Sequence, residues 1–119
     1  MFKSNKLKCI VFGYGYMGQI RHRVICSNPN LELVGIFDND KNNLKKINKE
    51  LIIDKYLDIK NIDFDIAFIC TPNNVSPNFV VDCLKLNKHV FCEKPPGKNI
   101  NDLFKIKKQI KSNLKLMFG

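Results

Sequence analysis

The stretch that decides the fold is Leu7-Lys8-Cys9-Ile10-Val11-Phe12, followed at once by Gly13-Tyr14-Gly15-Tyr16-Met17-Gly18. An apolar, strand-like run opens directly into G-x-G-x-x-G, and Gln19–Ser27 beyond it reads as a helix. The glycine pattern alone is weak; its place between strand and helix gives it meaning. There Gly13 makes the tight turn, Gly15 lets the backbone approach a pyrophosphate, and Gly18 lets helix and strand pack closely. The amides of Tyr16 and Met17 then point at phosphate, at the positive end of the helix. A glycine-rich turn without a ligand is the bland alternative. Asp38 argues against it, because it ends the next strand 20 residues beyond Gly18, where a carboxylate meets the adenosine ribose.

Outward from this core, short apolar runs alternate with longer amphipathic stretches. Asn28-Pro29-Asn30 stops the first helix, since proline and its predecessor disfavour the α region. Leu31–Phe37 is a second strand, rich in aliphatics. Lys41–Leu51 carries Leu44, Ile47 and Leu51 at helical spacing and reads as a helix. Ile52-Ile53 reads as a brief third strand, and Lys55–Asp63 as a shortened connection. Phe64–Cys70 is the next strand. Ser76 reads as an N-cap before Pro77, opening a helix that places Phe79, Val80, Cys83, Leu84 and Leu86 largely on one face. His89–Glu93 is strand again. Asn99, with Asp102 three residues later, resembles a capping box for a helix bearing Leu103, Phe104, Ile106 and Ile110. Lys115–Gly119 begins a last apolar run. Strands alternating with helices, two of them nearly continuous apolar runs, imply a parallel sheet covered on both faces. The expected architecture is a doubly wound α/β domain, one unit over residues 1–119.

Composition bounds the function. The 119 residues suit one domain with a true core, and 45% apolar residues exclude a disordered chain. The charge of +9 arises from 18 Lys and 2 Arg against 8 Asp and 3 Glu. A basic balance invites nucleic acid or membrane as partner. Arginine, the better oxyanion fork, is nearly absent. Lys, Asn and Ile together make 47 of the residues, a bias that A/T-rich codons would produce without any function. No aromatic and basic interleaving suits single strands, so no nucleic-acid partner is expected, and no apolar run is long enough to span a membrane. Five cysteines include no C-x-x-C pair and no zinc spacing, so no metal site is expected. The chain reads as reduced and cytoplasmic.

Three further sites lie at strand ends. Asp38 and Asn39 follow the second strand; a carboxylate there accepts ribose hydroxyls and repels a 2′-phosphate, which favours NAD over NADP. Lys41 lies close enough to offset that charge in part, and Asp38-Asn39-Asp40 also reads as an ordinary turn and cap. Thr71-Pro72-Asn73 ends a strand at the carboxyl edge, where open α/β sheets bind ligands. Glu93-Lys94-Pro95 does the same one strand on, and a lysine beside a desolvated nicotinamide pocket can polarise a substrate oxygen. A surface ion pair is the default reading of such a dipeptide. Arg21 reads two ways, as a pyrophosphate contact or as a solvated side chain, and His22 is given no catalytic role.

Taken together, GYGYMG, Asp38, TPN at Thr71–Asn73 and KHVFCEKP at Lys88–Pro95 resemble the glucose–fructose oxidoreductase, inositol dehydrogenase and rhizopine catabolism family (Gfo/Idh/MocA). The likeness runs from about Leu7 to Phe118, and KHVFCEKP with the upstream TPN is its most specific part. It implies an NAD(P)-dependent oxidoreductase acting on a sugar, polyol or nucleotide sugar. The family's E-K-P lysine, which reaches substrate and nicotinamide, maps onto Lys94. Cofactor contacts map onto the glycine loop, Asp38, Asn39, Thr71, Pro72, Asn73, Glu93 and Lys94. Two departures stand out: Ser76 where many members have His, and Asn87 where Gly is common before K-H-V. The resemblance also implies a second α/β domain, with a catalytic His and the usual oligomer interface, so the chain is expected to be a truncated, cofactor-binding half that is inactive alone. A homo-oligomer through an open sheet edge is one option. The alternative function is a non-catalytic dinucleotide sensor or scaffold.

Overall fold

The computed structural model describes residues 5–119. Its centre is a five-stranded, all-parallel sheet: β1 (Leu7–Phe12), β2 (Leu31–Phe37), β3 (Ile66–Ile69), β4 (His89–Cys92) and β5 (Leu116–Phe118), in the order β2-β1-β3-β4-β5. Helices α1 (Tyr16–Ser27), α2 (Ser76–Lys85) and α3 (Ile100–Lys107) connect them. The doubly wound α/β class read from the sequence is the observed one.

Two apolar layers explain why the strands are apolar nearly throughout. On one face Cys9, Val11 and Ile36 pack with Ile25 of α1 and with Leu44. On the other, Ile10, Phe12, Ala67, Ile69, Val90 and Cys92 meet Phe79, Val80, Cys83 and Leu84 of α2 and Ile106 of α3. Successive strand residues serve opposite faces, so a strand buried on both must be apolar at every position. Phe12, Phe37, Tyr56 and Phe79 form a ring cluster with centroid separations from 5.0 to 6.4 Å, within the range of favourable aromatic pairs.

The register sets the strand ends abreast. Phe12 pairs with Phe37 and Ile69, Ile69 with Cys92, and Cys92 with Phe118. The next residue of each strand bonds its neighbour. Gly13 N–H donates to Phe37 O at 2.7 Å, Cys70 N–H to Phe12 O at 2.7 Å, and Glu93 N–H to Ile69 O at 2.9 Å. One level edge therefore carries Asp38, Gly13, Cys70 and Glu93. The chain leaves β1 toward β2 and returns to β3 on its other side, so the crevice where ligands bind in such folds opens there.

Four expectations are corrected. Lys41–Leu51 is not a continuous helix but two 3₁₀ turns, Lys41–Leu44 and Lys49–Leu51. Asp40 Oδ1 accepts from Asn42 N–H and Asn48 Oδ1 from Glu50 N–H, and such local side-chain bonds compete with helix propagation. Ile52-Ile53 is not a strand but a single bridge, Ile36 to Ile52, so Leu116–Phe118 is the fifth strand. Helix α1 starts at Tyr16 rather than Gln19, inside the glycine motif. Ser76 is not the N-cap of α2 but its first residue, with Val75 in the cap position. Asn99 does cap α3, accepting from Asp102 N–H at 3.2 Å, while Asp102 Oδ2 accepts from Lys98 N–H at 2.8 Å. Asn87 has φ +62°, a left-handed residue ending α2 that Gly or Asn suits best.

All five cysteines are free, and Cys26 is the exposed one. Burial pushes the thiols of Cys9, Cys70, Cys83 and Cys92 up to about 12, so they stay neutral at pH 8 and react poorly. Titration with a thiol reagent at that pH is expected to modify one group per folded chain, Cys26, and five in denaturant. More than one fast thiol in the folded chain would contradict this burial.

Candidate functional site

The site begins with what cannot fit at the glycines. Gly13 has φ +89°, and a Cβ there would lie 2.7 Å from Cys70 O. Backbone and packing thus both require glycine. A Cβ on Gly18 would lie 2.0 Å from Gly13 O, so α1 sits against the loop as closely as backbone allows. Gly15 differs. Its φ is −79°, and a Cβ there would meet nothing within 4 Å. Neither conformation nor protein packing calls for glycine at this position. It faces open space, a cradle that a side chain would fill and a ligand can occupy.

That space is a cleft of about 600 Å³ at the carboxyl edge. Gly13, Gly15, Tyr16 and Met17 line one wall, Phe37, Asp38, Asn39, Asp40 and Asn43 another, and Cys70, Thr71, Pro72, Asn74, Val75 and Phe79 a third. The first-turn amides of α1 have no intrahelical acceptors, and they carry the positive end of the helix dipole. Opposite stands Asp38. Its Oδ2 accepts from Tyr14 N–H at 2.7 Å and Asn43 Nδ2–H at 3.0 Å, and its Oδ1 from Asp40 N–H at 2.8 Å. A carboxylate offers about four acceptor positions, so by count one remains, on Oδ1. The turn-and-cap role of Asp38 and its place in the cleft wall coexist. Anion-binding amides, an open glycine and an acceptor carboxylate together fit a dinucleotide.

Of the residues singled out from sequence, Gly13, Gly15, Tyr16, Met17, Asp38, Asn39, Thr71 and Pro72 meet in the cleft. Gly18 lies behind it as packing, and Asn74 rather than Asn73 faces in. Glu93 and Lys94 stand outside the lining, on the same edge; Gly13 and Glu93 follow strands two places apart, about 10 Å at the usual spacing. Lys94 is exposed, its N–H donates to Gly119 O at 3.0 Å, and the Lys94–Pro95 peptide is cis. Arg21 takes neither of its two sequence readings: its Nε donates to Glu93 Oε2, and its guanidinium lies 4.5 Å from the Phe91 ring centre. Lys41 is engaged by Asp54, whose carbonyl accepts from it at 2.7 Å and whose carboxylate lies 3.4 Å off. Ser76 is buried, its Oγ 2.8 Å from both Thr71 O and Thr71 Oγ1, so it ties the Thr71-Pro72 turn to α2. Tyr14 Oη pairs with His22 Nδ1 at 2.7 Å. Burial, aided by the charge of Arg23, lowers the His22 pKa.

Sequence reasoning read Asp40 only as part of a turn and cap, and missed Asn43 because the segment from Lys41 read as helix, and Phe79 because it read as core. The Asn-rich run Asn39–Asn43 was the available signal, since such residues favour turns and caps.

The topology and this cleft define a Rossmann-type dinucleotide-binding domain. A family model described as an oxidoreductase family with an NAD-binding Rossmann fold matches residues 7–118, and the chain belongs to that family, Gfo/Idh/MocA. Myo-inositol 2-dehydrogenase of Thermotoga maritima is 28% identical over 113 residues, 91% of this chain and 34% of that protein. The structure of myo-inositol 2-dehydrogenase from Lactobacillus plantarum superposes with a TM-score of 0.85 at 27% identity, covering 96% of this chain and 36% of that one. Scyllo-inositol dehydrogenase from Lactobacillus casei gives 0.87 at 25%, covering 99% and 37%. The chain thus spans about a third of the length of these relatives. No helix among the described residues is long and apolar enough to cross a membrane.

Two glycine substitutions separate packing from ligand space. Gly18→Ala is expected to lower unfolding free energy by about 2–4 kcal/mol, through backbone overlap with Gly13. Gly15→Ala is expected to cost no more than about 1 kcal/mol, since it meets only the Ala penalty at an N-cap. Urea denaturation of both checks the order; equal losses would contradict the open cradle at Gly15.

Proposed function

We propose that this chain is the cofactor-binding domain of an NAD-dependent oxidoreductase that acts on a hydroxyl-bearing carbon of a polyol or sugar. The observation that carries this is the cleft itself, with free helix amides on one wall, a carboxylate on the other and an open glycine between them. The backbone at Gly15, Tyr16 and Met17 binds pyrophosphate without a cation. Asp38 accepts from the adenosine ribose, and its charge disfavours a 2′-phosphate. Lys41, held on Asp54, does not offset that charge, so NAD is the preferred cofactor. Thr71 and Pro72, with Asn74 beyond Asn73, wall the cleft toward β3, and Ser76 braces that turn. Glu93 and Lys94 serve the nicotinamide end. When bound, nicotinamide supplies the hydride acceptor or donor. Lys94 polarises the substrate oxygen and eases its proton transfer. In the whole protein, substrate selection belongs to parts outside residues 1–119, consistent with relatives about three times as long. The five free cysteines suit a reduced, cytoplasmic setting.

Calorimetric titration of the folded chain is expected to show NAD binding. Absence of NAD and NADP binding at millimolar cofactor would overturn the proposal. Asp38→Ala is expected to weaken NAD about tenfold, the worth of a hydrogen bond to a charged group, and NADP less. The ratio of affinities is the readout, because any loosening of the Tyr14 loop affects both cofactors alike.

In the whole protein, Lys94→Met is expected to leave NAD affinity within about threefold and to reduce polyol-dependent NADH formation by about 10²–10⁴. NAD binding with no turnover by the unaltered protein across inositols and sugars would make the domain a sensor instead.

A further inference from the structure

Glu93 and Lys94 are adjacent and oppositely charged, yet the structure does not pair them. Glu93 is engaged by Arg21 of α1, whose Nε donates to Glu93 Oε2. The same guanidinium stacks 4.5 Å from the centre of the Phe91 ring, two residues earlier on β4. The pair is largely withdrawn from water, with side-chain exposures of 25% for Arg21 and 13% for Glu93. Lys94 is exposed, and among the described residues its ammonium has no hydrogen-bond or ion-pair partner. Two other titratable groups act on Glu93 or Arg21. Cys70, just after β3, and Cys92 of β4 are thiols that burial pushes up to about 12, so they add no charge. The ion pair is therefore one cation against one anion, with the lysine left over.

We propose that Arg21 is a positioning residue: by holding the Glu93 carboxylate against α1 and the Phe91 ring, it keeps that carboxylate off Lys94 and leaves the Lys94 ammonium free for a substrate oxygen. This rests on the reading of Lys94 given above. Residue choice supports it. In a chain with 18 lysines and two arginines, one arginine stands where a flat, permanently charged group both stacks on a ring and donates to a carboxylate, which a lysine does less well. Arg21 also belongs to the helix whose first turn lines the cleft, so cofactor wall and Lys94 turn are fastened together. Without Arg21, a carboxylate one residue away draws the ammonium, which then holds its proton more tightly and is less available to the substrate.

The test reads the Lys94 amine in the folded chain. Lysines are acetylated with limiting N-hydroxysuccinimide acetate at pH 8 and quantified by peptide mass spectrometry, with exposed Lys105 of α3 as internal reference. Arg21→Met is expected to lower Lys94 labelling about threefold relative to Lys105, because the labelled fraction follows the free amine. Arg21→Met with Glu93→Gln is expected to restore it, which loss of structure alone would not do. Unchanged labelling in Arg21→Met, or an equal loss in the double variant, would overturn the proposal. If Arg21→Met does not fold, Glu93→Gln alone decides: labelling at or above the unaltered level supports the proposal, and a fall overturns it. NAD titration of the same proteins is read separately. Absent NAD binding with this labelling pattern intact removes the cofactor reading and leaves the charge arrangement standing.

Discussion

Everything at the carboxyl edge depends on one place where no side chain fits. A Cβ on Gly18 would overlap Gly13 O at 2.0 Å, and one on Gly13 would press on Cys70 O at 2.7 Å. The loop after β1 is therefore clamped between the first turn of α1 and the end of β3, backbone against backbone. This contact fixes where the helix starts, which is why its free amides emerge into the cleft. Asp38 closes the arrangement from β2 through Tyr14 N–H. Three strands and a helix thus converge on six residues, with rigidity that comes from exclusion more than from attraction.

The sequence made the sheet legible because strands buried on both faces must be apolar at every position, and four of the five were read within two residues of their bounds. The failures share a cause. Lys41–Leu51 has helical spacing, yet Asp40 and Asn48 bond to amides two residues on and break it into turns. Periodicity reports which side chains are buried, not whether polar neighbours have captured the backbone. Ser76 shows the same limit. Its place before proline suggests a cap, whereas burial beside Thr71 directs its hydroxyl inward.

The candidate site divides along sequence distance. The glycine loop and the strand-end polar residues were legible, since a strand ending in Gly or Asp places it at the carboxyl edge whatever the tertiary detail. The Arg21–Glu93 pair spans 72 residues, and the capture of Lys41 by Asp54 spans 13. Neither follows from a local pattern, because lysine and arginine stems reach any carboxylate that the fold brings near. Each engages a side chain next to a group that the motif did identify, Glu93 beside Lys94 in one case and Lys41 beside the Asp38 turn in the other.

The excess positive charge does not line this site. No lysine or arginine appears among the residues lining the cleft, whereas Asp38 and Asp40 do. Pyrophosphate held there is met by amides and a helix dipole, interactions that act within a turn of helix. The chain's net charge of +9 acts from exposed side chains, and across more than about 10 Å of salt solution such charges are largely screened. Basicity can therefore vary with composition while the cleft keeps its affinity. The constraint that cannot vary is steric: Gly13 and Gly18, where a Cβ would overlap backbone.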